Sequence, residues 1–264
     1  MRCPTAAALL DVWESGLAKT SVDRLLVLLA AAHPEEPAKA LAELSIGERD
    51  GRLLRMREAL FGSRLPNTTR CPACSERLEW ESDVADLFVR SPALTGDPVT
   101  VSQDTAESIQ PTSRRSELEL AAEGCRITFR LPNSDDMIAL SGQFDVEQAR
   151  NQLLERCVIA ASATDGAPLQ LADLPQATLE GLVREMERSD PQANLQIDMT
   201  CSACGHSWQV AFDIGSFLWA EIDAWAKRTL RAVDVLARTY GWREAEVLNM
   251  SPTRRQIYLE MASQ

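Results

Sequence analysis

The sequence predicts an α+β protein, mainly helical, and three observations carry that expectation. Apolar residues recur at helical spacing through both ends of the chain. Strand-like alternation is confined to short stretches between them. Two Cys-x-x-Cys pairs, Cys71-Pro-Ala-Cys74 and Cys201-Ser-Ala-Cys204, lie far apart. Four thiolates in two tight pairs are the donor set that a tetrahedral Zn²⁺ takes, and the two halves of such a site need not be close in sequence. The expected architecture is a split zinc-ribbon-like centre made of two Cys-x-x-Cys knuckles, a small β-hairpin region and a C-terminal helical hairpin.

Residues 1–64 read as an N-terminal helical region. Leu9, Leu10, Trp13 and Leu17 follow one helical stripe. Ser21 is placed to cap a second helix running to Ala32, with His33-Pro34 closing it. His33 suits a helix C-terminus, where positive charge is favourable. Leu53, Leu54, Met56, Leu60 and Phe61 build another helix, which Gly62 ends. Residues 65–90 form the first knuckle unit. Residues 91–116, with Pro92, Pro98 and Pro111 among many Ser and Thr, read as a linker. A hairpin plus helices is expected over 117–194. There Leu118 and Leu120 alternate with Glu residues, Glu123-Gly124 turns the chain, and Cys125, Ile127, Phe129 and Leu131 alternate in return. Two amphipathic helices are expected over 145–161 and 174–188. Cys125 and Cys157 fall on apolar faces and read as core. Residues 195–264 hold the second knuckle unit and the C-terminal helices.

The two Cys pairs begin an internal repeat. Aligned without a gap, Asp83 meets Asp213, Val84 meets Ile214, and Leu87-Phe88 meets Phe217-Leu218. Each unit reads as a metal knuckle, a short strand, an Asp able to cap a helix, and an apolar helix start. Gly205 suits the tight turn after the second pair; the first unit has Ser75 there instead. The ligands expected for a structural Zn²⁺ are therefore Cys71, Cys74, Cys201 and Cys204. A redox Cys-x-x-Cys normally starts a helix after a strand, so strand-like residues after both pairs fit a thiol oxidoreductase poorly. Iron–sulfur binding stays open beside zinc. His206 lies too close to Cys204 for a comfortable ligand. A closed site with four protein ligands leaves no position for water or substrate.

Composition narrows the function classes. The chain of 264 residues has a net charge of −12, which argues against a general phosphate-backbone binder. The N-terminal apolar stretch is too short for an export signal, and seven cysteines without one suggest thiols in a reducing compartment. No Gly-rich phosphate loop, nucleophile elbow or His–carboxylate metal motif stands in the sequence, so no catalytic residue is expected and the protein reads as non-enzymatic.

The C-terminal part is locally basic. From Lys227 onward seven Lys and Arg face four Asp and Glu. A long stripe from Phe217 to Tyr240 ends at Gly241, a short helix follows over 243–250, and Ser251-Pro252 starts a last helix. Exposed Arg, Tyr and Trp make good anchors for a partner protein, which selects Tyr240, Trp242, Arg254, Arg255 and Tyr258 as candidate partner-binding residues. Two helices joined by a Gly-containing turn also allow an alternative, a zinc-ribbon DNA-binding regulator using these basic helices. A plain helical hairpin is the third reading.

Three runs carry a resemblance: Phe217 to Ile222, Asp234 to Leu248 (which includes Arg238-Thr239-Tyr240-Gly241-Trp242), and Ser251 to Leu259 with its Arg254-Arg255 pair and Tyr258-Leu259. Together they resemble the baseplate hub assembly proteins of T-even-type phages, whose relatives occur in phage tail-like contractile injection systems. The family pattern has alanine-x-tyrosine-glycine-tryptophan at the helix end; here Thr239 precedes Tyr240 and the order is otherwise kept. The likeness covers roughly the last quarter of the chain. The knuckle units and the Leu-rich N-terminus resemble the larger members from injection-system gene clusters. The resemblance implies a non-enzymatic baseplate assembly chaperone or structural component. Its expected partners are baseplate, hub or spike proteins of a contractile particle, with no membrane and no small-molecule substrate; the net charge of −12 weighs against nucleic acid. Its expected location is the cytoplasm during assembly or the assembled particle.

Overall fold

A computed structural model describes residues 1–89, 117–143 and 145–263; the linker expected over 91–116 lies outside them. In chain order the helices are α1 (Ala6–Gly16), α2 (Ser21–Ala32), α3 (Ala38–Ala42), α4 (Ile46–Phe61), α5 (Ser134–Ala139), α6 (Val146–Cys157), α7 (Gln176–Ser189), α8 (Ile214–Tyr240), α9 (Glu244–Leu248) and α10 (Pro252–Ala262). The strands are β1 (Arg64–Arg70), β2 (Arg77–Asp83), β3 (Leu118–Ala122), β4 (Cys125–Phe129), β5 (Val158–Ala163), β6 (Gln196–Thr200) and β7 (Ser207–Ala211). The protein is thus α+β and mainly helical, and among the described residues three small sheets are ordered β1-β2, β3-β4-β5 and β6-β7. Two compact units divide the chain: Met1–Leu41 with Arg52–Arg64 and Asp213–Gln264, and Ala42–Gly51 with Leu65–Phe212.

The first unit is helical because its apolar residues repeat with the helical period. Leu9, Leu10, Leu28, Leu29, Leu53, Leu54, Ile214, Leu218, Ile222 and Leu236 are all buried. Leu17 is not part of this core. α1 stops at Gly16, and Leu17, one residue past its last turn, is exposed. The cap of α2 also differs from expectation by one residue. Thr20 is the extended residue whose side chain accepts the Asp23 N–H, and Ser21 is the first helical residue. Two close fits are peculiar to this unit. A Cβ at Gly16 would lie 2.3 Å from the Trp219 ring, so glycine is what lets the indole lie against α1. Arg57, 2 % exposed, grips both carboxylate oxygens of Glu221 at 2.8 and 2.7 Å and donates to the Gly62 carbonyl at 2.7 Å. Gly62 itself, at φ 90°, ends α4 as expected.

The second unit is centred on the antiparallel β3-β4-β5 sheet. Ala122 pairs with Cys125, so Glu123 and Gly124 form a two-residue turn, both at positive φ. Helix α6 is shorter than predicted. It ends at Cys157, and Val158–Ala163 pairs with β4 as a strand. Val158 and Ile159 are β-branched and favour strand geometry, and the ladder to β4 satisfies backbone groups that a longer helix would have served. Ile127, Phe129, Leu154, Cys157, Leu182 and Met186 form the core beneath the sheet. Cys125 is only half-buried at its edge. Asp136, fully buried, ties this core together: it accepts from Arg130 at 2.6 and 2.9 Å, from Arg156 at 2.8 Å and from the Asn133 N–H at 3.0 Å.

Candidate metal centre

Each Cys pair sits in the turn of a two-stranded sheet. Cys71 follows β1 and Cys201 follows β6. The chain closes each turn with the same two backbone bonds. The Cys71 N–H donates to the Glu76 carbonyl and the Ser75 N–H to the Cys71 carbonyl, both at 2.9 Å. The Cys201 N–H donates to His206 at 2.8 Å and the Gly205 N–H to Cys201 at 2.9 Å. Such a turn needs a left-handed residue after its second Cys. Gly205 takes φ 72° freely, whereas Ser75 adopts φ 64° with a side chain in place. The repeat continues beyond the turns. Asp83 accepts the Ala85 N–H at the start of a single 3₁₀ turn, and Asp213 accepts from Gly215 and Ser216 at the start of α8. Val84 and Ile214, aligned in the repeat, are both buried.

The two turns bring all four sulfurs together, every pair within 4.8 Å. Cys71 Sγ lies 3.7 Å from Cys204 Sγ, and Cys74 Sγ lies 3.6 Å from Cys201 Sγ. A tetrahedron with metal–sulfur bonds of 2.3 Å has edges of about 3.8 Å, so the cluster has the size of a single tetrahedral ion. The first Cys of each pair is buried and the second exposed.

The electrostatics also fit a cation. Burial opposes ionisation of Cys71, but N–H groups of Cys74 and Ala73 and the neighbouring thiols outweigh it, bringing Cys71 down to about 7. At Cys74 the Glu76 N–H favours the thiolate, yet the Cys204 thiol, burial and the remaining thiols prevail and push it up to about 12. Cys204 is raised as well, against the pull of the His206 N–H. The Cys71 thiolate therefore forms readily, while Cys74 and Cys204 resist joining it, as expected of like charges sharing a site. A divalent ion removes that conflict.

Other sequence-predicted residues fall as follows. His206 is exposed, stacks on Trp208 with ring centroids 5.8 Å apart, and stands outside the sulfur cluster. His33 caps the C-terminus of α2, with Nδ1 3.1 Å from Glu36. Cys157 is sealed in the core, where burial pushes its thiol up to about 11. Among the C-terminal candidates, Tyr240, Trp242 and Tyr258 form one aromatic cluster, with centroids 4.5 Å apart for Tyr240–Trp242 and 4.8 Å for Trp242–Tyr258. Arg254 is exposed. Arg255 is buried and donates to the Met250 carbonyl at 3.3 Å, holding the α9–α10 connection. Sequence reasoning missed the Arg57–Glu221 pair; nothing in the local pattern around either residue marks it.

The family described as T4 bacteriophage base plate protein matches residues 20–219. The matched span contains both Cys pairs and ends within the first turns of α8. No curated protein and no solved structure matches the chain.

Proposed function

Because the chain belongs to the T4 bacteriophage base plate protein family, we propose that it is a non-enzymatic assembly or structural component of the baseplate of a contractile, phage tail-like particle, binding other baseplate or hub proteins. The observation that carries the reading is the family match over 200 residues; the cluster of four sulfurs supports it, since a site closed by four protein ligands would scaffold and leave no position for substrate.

In this reading Cys71, Cys74, Cys201 and Cys204 hold one structural Zn²⁺, and the two turns are the halves of a split zinc ribbon. The ion supplies no chemistry of its own; it neutralises the thiolates and fixes one hairpin against the other. Two-stranded hairpins are at best marginally stable alone, and a structural Zn²⁺ is worth about 10–16 kcal/mol in small peptides. Such a clasp converts two weak sheets into a rigid body. Rigid bodies dock with little loss of conformational freedom, which suits a component that must seat in one orientation.

The aromatic cluster of Tyr240, Trp242 and Tyr258, with Arg254 beside it, is the proposed contact surface for partners. Arg255, the remaining candidate, is buried and holds the α9–α10 connection next to it in sequence. Among the described residues no helix is long and apolar enough to cross a membrane.

The experiment is affinity capture with the tagged protein from cells expressing its gene cluster. The reading expects baseplate or hub proteins in the eluate, lost with Tyr258→Ala. Recovery of none from cells that assemble particles would refute it.

A further inference from the structure

The four sulfurs differ in what can reach them. Cys71 and Cys201 are each 1 % exposed, whereas Cys74 and Cys204 are open to solvent. A dissolved oxidant therefore meets Cys74 and Cys204 first. In the clasp proposed above, on which this step rests, both are thiolates, the form that reacts.

Proximity then selects their partners. Cys74 Sγ lies 3.6 Å from Cys201 Sγ, and Cys204 Sγ lies 3.7 Å from Cys71 Sγ. Each exposed sulfur thus faces a buried sulfur of the opposite hairpin. A disulfide bond is about 2.05 Å long, so an approach of about 1.6 Å closes either pair. Backbone bonds around Cys71 and Cys201 already close both turns, and the sulfurs are held in this arrangement before any oxidant arrives.

We infer that the cluster is a site of oxidative modification, where a peroxide produces two disulfides that cross between the hairpins, Cys74–Cys201 and Cys71–Cys204. Each bond forms in two steps. The exposed thiolate attacks the peroxide O–O bond, which gives a sulfenic acid and a hydroxide that takes up a proton as water. The buried thiolate of the opposite hairpin then attacks the sulfenic sulfur, and the S–S bond forms as a second hydroxide leaves and is protonated. Two electrons pass from the sulfurs to one peroxide, which ends as two waters. The cysteines then cease to be metal donors, yet the hairpins stay joined by covalent bonds. Oxidation within each Cys-x-x-Cys pair would instead unpin them.

The test treats the full chain, carrying Cys3→Ser to remove the exposed thiol outside the cluster, with hydrogen peroxide and then alkylates the remaining thiols. The crossed bonds join residues 133 and 127 apart in sequence, so the oxidised chain should migrate faster than the reduced one on a non-reducing denaturing gel. Mass spectrometry should find the peptide holding Cys71 and Cys74 linked to the one holding Cys201 and Cys204. Cys71→Ser with Cys204→Ser should keep the fast band, and Cys71→Ser with Cys74→Ser should lose it. Cys74→Ser with Cys204→Ser leaves two buried sulfurs and should oxidise at least about tenfold more slowly. The peptide map of the Cys3→Ser protein decides alone where a paired variant fails to fold. Disulfides confined within the Cys-x-x-Cys pairs would overturn the inference, as would thiols that peroxide leaves free or carries on to sulfinic acid. Zinc content measured before the peroxide tests the clasp separately, because the connectivity is read on the same sample whatever that content is.

Discussion

Replacing Cys74 by Ser removes one of the four sulfurs from the cluster and, if the cluster is the proposed zinc clasp, leaves a site that would bind Zn²⁺ weakly. The size of the effect follows from linkage. Metal bound only to the folded state stabilises it by about 4 kcal/mol when free metal is a thousandfold above the dissociation constant. For a unit of about 150 residues, each kcal/mol moves the melting midpoint by roughly 2–4 °C. Cys74→Ser should therefore lower the midpoint of the unit containing residues 65–212 by about 8–16 °C, and a strong chelator should lower wild type to the same value. Scanning calorimetry with and without chelator reads both. Cys3→Ser is the control, because Cys3 is exposed and outside the cluster. If Cys74→Ser melts within about 2 °C of wild type and neither protein responds to chelator, the clasp is refuted.

Further outcomes are expected at four positions. Ser75→Gly should stabilise the protein by about 0.5–1 kcal/mol, since it relieves a left-handed residue that costs a side chain about 1–2 kcal/mol and gives back part as backbone entropy; Gly205→Ala should cost about 1 kcal/mol, both read by urea denaturation. Asp136→Asn should cost about 3 kcal/mol at neutral pH by leaving two guanidinium groups without their buried carboxylate. Burial opposes ionisation of Asp136, but Arg130 above all holds its pKa below the ordinary value. The advantage of wild type is then fully present above about pH 4 and closes as pH falls further, because a lowered carboxylate loses its contribution on protonation. A gap that persists unchanged in acid would show that the carboxylate charge is not its source. Gly16→Ala should cost about 1–3 kcal/mol through the clash with Trp219, and Trp219→Leu in the same background should recover part of it.

Much of this architecture is written in local pattern. Gly62 and Gly241 mark helix ends because both take left-handed φ there. Glu123-Gly124 marks its turn for the same reason, and the stripe from Leu218 to Leu236 needs no tertiary information to be read as a helix. The cluster of four sulfurs was legible too, since donor chemistry fixes the composition of a metal site more tightly than chain order does. What stayed hidden depends on partners distant in sequence. Val158–Ala161 continues a helical pattern and becomes a strand because β4 supplies a ladder. Leu17 fits the α1 stripe but falls just past the helix end. The positive φ of Ser75 runs against its own preference and is set by the turn that Cys71 and Glu76 close. The division into two units, each assembled from separated segments, has no local signal at all. The resemblance was carried by the C-terminal motif, whereas the family match lies over residues 20–219. Both lead to the baseplate from different parts of the chain.

X-ray absorption at the zinc edge, on protein purified without added metal and with elemental content measured on the same sample, tests the clasp most directly. One zinc per chain surrounded by four sulfur scatterers at about 2.3 Å is the predicted result. Folded protein with far less than one ion per chain, or a shell containing nitrogen or oxygen in place of sulfur, would contradict it.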